Sequence, residues 1–246
     1  MSPPELVLWN AGVTEPSHID LANIAAVHGA RVVYRPLDGC SARLVASSDG
    51  AIISVNSADY PGRKRFSLAH ELAHWISDRK TRSFLCAKSD IGPQNAEAKS
   101  VEAHANAFAS QLILPDYLVS PWAVGKKANL DVAASLANEF GVSRTAAAIK
   151  LAKRSSIPTC VACHDQSRLK WHVRNAAFDP DFYVKPELHQ DTEAFTMAYG
   201  GGGKSQPKKE CADRWISGEG TYRMAVQTQS LKLPDGTVLT MIALAK

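Results

Sequence analysis

The chain of 246 residues reads as an α+β protein of one to two domains. Three observations predict this. Short β-type runs follow a helical segment near the start. Alanine-rich helical periods fill the middle. Several β-type runs return after Ile157-Pro158. Composition agrees, with 45% hydrophobic and 21% charged residues, the balance of a soluble globular protein with a real core. A net charge of +4 is too small to mark a nucleic-acid binder by itself. No apolar run approaches the roughly 20 residues that span a bilayer. The opening MSPPELVLWNAG lacks a basic stretch followed by a long apolar one, so no secretory signal is expected. Five cysteines, an odd and low count, fit a reducing cytoplasm better than a disulfide framework.

Taken in order, Ser17–His28 predicts a helix, with Ser17 and Asp20 resembling a capping box and Gly29 ending it. The runs Arg31–Arg35, Ala42–Ala46 and Ala51–Val55 follow, separated by the turn signals Asp38-Gly39 and Asp49-Gly50. They predict a small antiparallel sheet. Arg65–Asp78 returns to helical period. Phe84–Asn95 is irregular, with a Gly92-Pro93 break. Ala96–Leu114 predicts a long helix stopped by Pro115. Leu130–Phe140, Gly141-Val142-Ser143 and Arg144–Arg154 read as helix, tight turn, helix. β-type runs then occupy Thr159–His164, Arg168–Arg174, Tyr222–Ser230 and Val238–Leu244, with a mobile loop expected at Gly200–Gly203 and the KSQPKK after it.

The strongest chemical signal is RFSLAHELAHWI. It holds H-E-x-x-H as His70, Glu71 and His74 in a segment that already reads as helix. Positions four apart share a helix face, so both imidazoles can reach one ion. Imidazole suits zinc, and a catalytic zinc keeps three protein ligands and a water. Glu71, beside His70, is placed to act as general base toward that water.

A third ligand is needed, and SVEAHANAFASQLILP offers one. Glu102 and Asn106 lie four apart on one face. Glu102 would complete a His-His-Glu set, and Asn106 would hydrogen-bond a ligand histidine. The competing donor is His104, two residues on and nearly opposite on the helix.

These residues resemble the ImmA/IrrE family of zinc metallopeptidases. The shared pattern is Arg65 and Phe66 leading into His70, Glu71 and His74, then Glu102, Ala105, Asn106, Phe108, Ala109, Leu112 and Pro115. The sheet run AIISVN and the later GVSRTAAAIKLAKR fit as well, so the match spans about residues 15–155. His104 departs from the pattern, since many relatives carry glutamate or glutamine there. The resemblance implies a gluzincin-like core, a small twisted sheet with helices and zinc between two of them. It implies a bacterial cytoplasmic enzyme that cleaves a helix-turn-helix repressor or antitoxin and so switches on a stress or mobile-element response. The alternative is a regulator that binds such a protein without hydrolysis. Ala51–Val55, read as the last strand of the sheet, is expected to offer its edge to an extended peptide. No residue is singled out for the oxyanion; Tyr60, Arg63 and His104 are the weak possibilities.

Weaker motifs carry less. LDVAASLANEFGVSRTAAAIKLAKR resembles a DNA-binding helix-turn-helix with Arg144, Lys150, Lys153 and Arg154 toward phosphates, but alanine-rich helices with basic ends are usually packing units, so DNA binding is not expected. AYGGGGKS matches a loose phosphate loop, yet Gln206-Pro207 is a poor start for the helix such a loop needs. CVACH contains C-x-x-C-H, but residues three apart on a strand face opposite sides, and buried apolar cysteines are the expectation.

The expected domains are 1–123 (peptidase-like), 124–157 (helix-turn-helix-like) and 158–246 (a mixed α/β sensor or docking domain, which the resemblance suggests is GAF-like). The expected enzyme is a zinc metalloendopeptidase with Glu71 as catalytic residue, His70, His74 and Glu102 as metal ligands and Asn106 in support. No cofactor besides Zn2+ and no membrane association is expected. Oligomeric state is not readable.

Overall fold

A computed structural model describes residues 1–77 and 100–244 of the chain. Among the described residues the protein is a mixed α+β fold with eight helices and three sheets. They pack as two units, Met1–Val124 with Ala137–Ser143, and Gly125–Leu136 with Arg144–Lys246. The irregular stretch Phe84–Asn95, and the ends of the two helices expected to flank it, lie outside the described residues.

The first unit opens with a helix the sequence reading passed over, α1 (Pro3–Asn10). Its signal was present in Ser2-Pro3-Pro4-Glu5. Proline is favoured at the first helical position, where no N–H is needed, and the Ser2 backbone N–H donates to Glu5 Oε2 at 2.8 Å. The next helix, α2 (Leu21–Val27), is shorter than expected. Asp20, not Ser17, caps it, its Oδ1 accepting from the backbone N–H groups of Ala22 and Asn23 at 3.0 Å. Pro16–His18 forms a separate tight turn.

The strands β1 (Ala30–Arg35), β2 (Ala42–Ser47) and β3 (Gly50–Asn56) form one sheet in the order β1-β3-β2. The expected all-antiparallel pairing fails, because β1 runs parallel to β3. Only Ser48-Asp49 joins β2 to β3, a tight hairpin that uses one side of β3. The 36–41 connection is too long for such a turn, and Asn56 pins it. The Asn56 amide donates to the carbonyls of Leu37 (3.0 Å) and Cys40 (3.3 Å). The chain thus crosses over and leaves β1 on the far side of β3. Ala51–Val55 is therefore a central strand with both edges paired, and the expectation that it accepts a peptide by edge addition is wrong.

Helix α3 (Pro61–Ser77) packs on β2 and β3. Every residue from Ser67 to His74 is buried. Its cover comes from Leu44, Ile53 and Val55 of the sheet and from α4 (Ser100–Ile113), with Phe108, Ala109 and Leu112 inside. Pro115 ends that run and begins α5 (Asp116–Ala123).

In the second unit, α6 (Leu130–Phe140) and α7 (Arg144–Arg154) flank the Gly141–Ser143 turn, as the sequence predicts. Only residues up to Leu136 of α6 belong to this unit. Its first turn is tied to the second unit's sheet, since the Gln229 side chain accepts from the Leu130 N–H at 2.8 Å and donates to Asp131 at 3.0 Å. α7 packs on that sheet. Ala147, Ala148, Lys150, Leu151 and Ala152 are buried, so Arg144, Lys153 and Arg154 at its ends are its exposed cations. The strands are β4 (Thr159–His164), β5 (Leu169–Arg174), β6 (Tyr183–Val184), β7 (Lys208–Cys211), β8 (Ile216–Ser217), β9 (Ala225–Lys232) and β10 (Val238–Leu244), with α8 (Glu193–Tyr199) between β6 and β7. Five of them form an antiparallel sheet in the order β5-β4-β10-β9-β7, and β6 pairs with β8. β4 is buried along its whole length. Cys160 and Ala162 share a core with Met197 of α8, Trp215 and Ile216.

Two stability predictions follow from these contacts. A Cβ at Gly62, in the first turn of α3, would sit 2.9 Å from the Ser143 backbone nitrogen. Alanine in a helix normally gains about 1 kcal/mol over glycine, but this backbone neighbour reverses the sign. Gly62→Ala should destabilise the protein by about 1–2 kcal/mol, read as a lower urea midpoint. His164 is 1% exposed, and burial pushes its imidazole below the ordinary value of 6.5, against a weaker opposing pull from the Lys185 carbonyl. The unfolded chain therefore takes the proton first, so the stability from keeping this ring neutral is whole above about pH 6.5 and is lost as pH falls below it. Urea midpoints of His164→Gln should fall less steeply between pH 7 and 5 than those of the native sequence.

Candidate metal centre

α3 is placed by contacts on either side of the H-E-x-x-H run. Arg65 donates from its guanidinium to the Ile19 carbonyl at 3.1 Å, and the Trp75 indole N–H donates to the His28 carbonyl at 2.8 Å. Both acceptors flank α2, so the helix is fastened one turn before His70 and next to His74. Burial pulls the Arg65 guanidinium below its ordinary range, opposed by the nearby Asp20 and Tyr34.

Between these fastenings the two imidazoles converge. His70 Nε2 and His74 Nε2 lie 3.2 Å apart, with rings at 85° and centroids 4.7 Å apart. From α4, Glu102 reaches both. Its Oε2 is 3.3 Å from His70 Nε2 and its Oε1 is 3.4 Å from His74 Nε2. His70 and His74 are 0% and 1% exposed, and the Glu102 side chain 17%. Among the described residues this is the one group of three such donors close enough to share an ion.

The spacing tests the fit. Tetrahedral zinc with bonds of about 2.0–2.2 Å sets its ligand atoms about 3.3–3.5 Å apart. The two imidazole nitrogens stand 3.2 Å apart, and each lies 3.3–3.4 Å from one oxygen or the other of the Glu102 carboxylate. Two nitrogens and one carboxylate are also the chemistry a divalent transition metal takes, with zinc favoured. The residues present fit such an ion.

Glu71 is 0% exposed, next to His70. Asn106 lies one turn beyond Glu102 on α4, half-buried. His104 is exposed and outside the cluster, its ring 6.4 Å from that of Phe108. Of the oxyanion candidates, Tyr60 is 62% exposed and Arg63 Nε donates to Ser41 Oγ at 3.0 Å. Phe66, which the sequence places in the lead-in to the motif without a role, stands beside the site. The Phe66 ring stacks on His70 at 6.3 Å and 29°, a pairing that their spacing of four residues on one helix made legible.

The weaker motifs resolve in the second unit. Cys160 and Cys163 face opposite sides of β4, and both thiols are free. Burial pushes the Cys160 thiol up to about 12 and raises that of Cys163, so neither is the thiolate that redox or metal chemistry needs. The glycine run follows helix α8 and leads into strand β7, the reverse of a phosphate loop. Lys204 pairs with Asp131 and, with the Gln229 amide, holds that carboxyl below its usual range.

The family described as Peptidase_M78, the IrrE N-terminal-like domain, matches residues 25–152. No curated protein matches the chain. A solved structure titled "Mycobacterium tuberculosis transcriptional regulator" is similar over 98% of this chain and 74% of its own, with a TM-score of 0.65 and 16% identity. At that identity the likeness concerns the fold alone.

The geometry predicts one bound divalent ion per chain, measured by elemental analysis after incubation with zinc and gel filtration. Glu102→Ala should weaken zinc binding by more than the about 10- to 100-fold that a supporting residue costs. His104→Ala should leave it unchanged.

Proposed function

This chain belongs to the Peptidase_M78 family, and on that premise we propose that it is a zinc-dependent endopeptidase that cleaves one specific protein partner. The partner class is a helix-turn-helix repressor or antitoxin, whose removal switches on a stress or mobile-element response. The observation that carries the reading is the cluster of His70, His74 and Glu102, with all donor atoms within 4.8 Å of one another and the buried carboxylate of Glu71 on the same helix. A purely structural site needs no base beside the ion.

In this reading His70, His74 and Glu102 hold the ion and Asn106 orients a ligand. A zinc ion there supplies Lewis-acid polarisation of the scissile carbonyl and acidifies a water. Glu71 takes the proton of the attacking water on its carboxylate and passes it to the leaving amine. Burial of α3 excludes bulk water from the base and strengthens its interaction with developing charge.

The finer architecture belongs to the same proposal. Residues 1–123 form a gluzincin-like core, 124–157 a helix-turn-helix-like segment that serves as packing, and 158–246 a GAF-like sensor or docking domain. The antiparallel order β5-β4-β10-β9-β7 supports that last assignment. No helix among the described residues is long and apolar enough to cross a membrane, and four described cysteines are free. The free thiols support a cytoplasmic location.

A second reading, control of the same partner without hydrolysis, draws on the regulator title of the similar structure. The two separate in one experiment. Wild type and Glu71→Gln are expressed beside a co-expressed helix-turn-helix partner, and partner level and bound metal are measured. Glu71→Gln should retain the metal and lose about 100- to 10,000-fold in cleavage rate. Equal disappearance of the partner with both proteins would sink hydrolysis by this site.

A further inference from the structure

The sheet of the first unit turns Leu44, Ile53 and Val55 inward under α3. Because side chains alternate along a strand, the opposite face carries Arg31, Val33 and Arg35 of β1, Ile52 with the buried Ser54 and Asn56 of β3, and Arg43 and Val45 of β2. The register sets Arg31, Ile52 and Val45 in one row across the sheet. Ile52 and Val45 are 46% and 47% exposed, an apolar cross-strand pair standing half in water. A cavity of about 650 Å³ opens beside them, walled by Ala22 and Ala26 of α2, by the start of β1 and, at the β2–β3 turn, by Ser47 and Asp49.

Charge says what would cover this face. Arg31 and Arg35 are exposed and Arg43 is half-buried. None of the three has an ion-pair partner among the described residues. Arg43 Nε is buried with no hydrogen-bond acceptor among them. The outward strand residues named above include no acid; the one acid lining the cavity is the exposed Asp49 of the β2–β3 turn.

We propose that this face is a docking surface for an acidic segment of a partner protein. One apolar side chain of that segment lies on Val45 and Ile52 beside the cavity, and its carboxylates meet Arg31, Arg35 and Arg43, where forked guanidinium donors match carboxylate geometry. Nucleic acid fits less well, because the face has no aromatic ring to stack a base and its centre is aliphatic. The inference rests on the reading of a protein partner and not on hydrolysis, since none of these residues is a metal donor or Glu71.

The test is a nitrogen-15 NMR titration of the full chain with a soluble peptide of alternating Glu and Leu. The expected result is saturable shifts of the Val32, Val45 and Ile52 amides, unchanged by zinc or chelator and weakened by salt. Arg31→Glu with Arg35→Glu should reduce affinity at least about tenfold. Ile52→Ser should reduce it about three- to tenfold without changing the salt dependence. All three positions are exposed, and circular dichroism checks that the variants fold. Absence of shifts on this face up to roughly 1 mM peptide, equal binding of a Lys-Leu peptide, tighter binding of an oligo-dT strand, or self-association through this face by sedimentation would each overturn the proposal. Persistence of peptide binding in Glu71→Gln, whatever that variant does to cleavage, keeps this result separate from the hydrolysis reading.

Discussion

Burying two imidazoles one helical turn apart is the constraint on which the first unit depends. A ring nitrogen inside an apolar core costs free energy unless something satisfies it. Here Nε2 of one ring stands 3.2 Å from Nε2 of the other and the Glu102 carboxylate lies 3.3–3.4 Å from both, an arrangement that one shared cation would satisfy. Much else in the unit reads as support for that arrangement. The sheet covers one flank of α3, α4 covers another, and the Arg65 and Trp75 contacts fix where the helix begins and how far it turns.

The parts of the fold legible in the sequence were those set by local period. α6, the turn after it and α7 fall where apolar spacing and Gly141 put them, and β4 and β10 match their β-type runs to the residue. Connectivity was the harder level. Two Asp-Gly pairs promise two hairpins, and nothing local says that one of them sits in a crossover. That outcome is decided by Asn56, 19 residues from the Leu37 it binds. α1 escaped notice for a different reason: its apolar residues show no clear helical face, and its evidence lies wholly in its cap.

The candidate site was more legible than the sheet around it. H-E-x-x-H fixes two donors by helical geometry alone, and the four-residue spacing of Glu102 and Asn106 fixes a face of α4. The resemblance and the Asn106 spacing favour Glu102 over His104, but how α4 is rotated toward α3 is a tertiary quantity. In the structure Glu102 faces the histidines and His104 faces outward. Phe66 belongs to the lead-in of the motif, and its place against the His70 ring follows from their four-residue spacing.

The third donor stands 28 residues beyond the second, on a separate helix. An ion gripped by all three would therefore act as a clip across a long stretch of chain, removing closure entropy that the apo protein still retains. Its measured affinity would contain the work of docking α4 onto α3, as well as the strength of the bonds. Scarcity of the ion would then be felt as a loosened helix pair, and availability of metal would set resistance to unfolding through mass action.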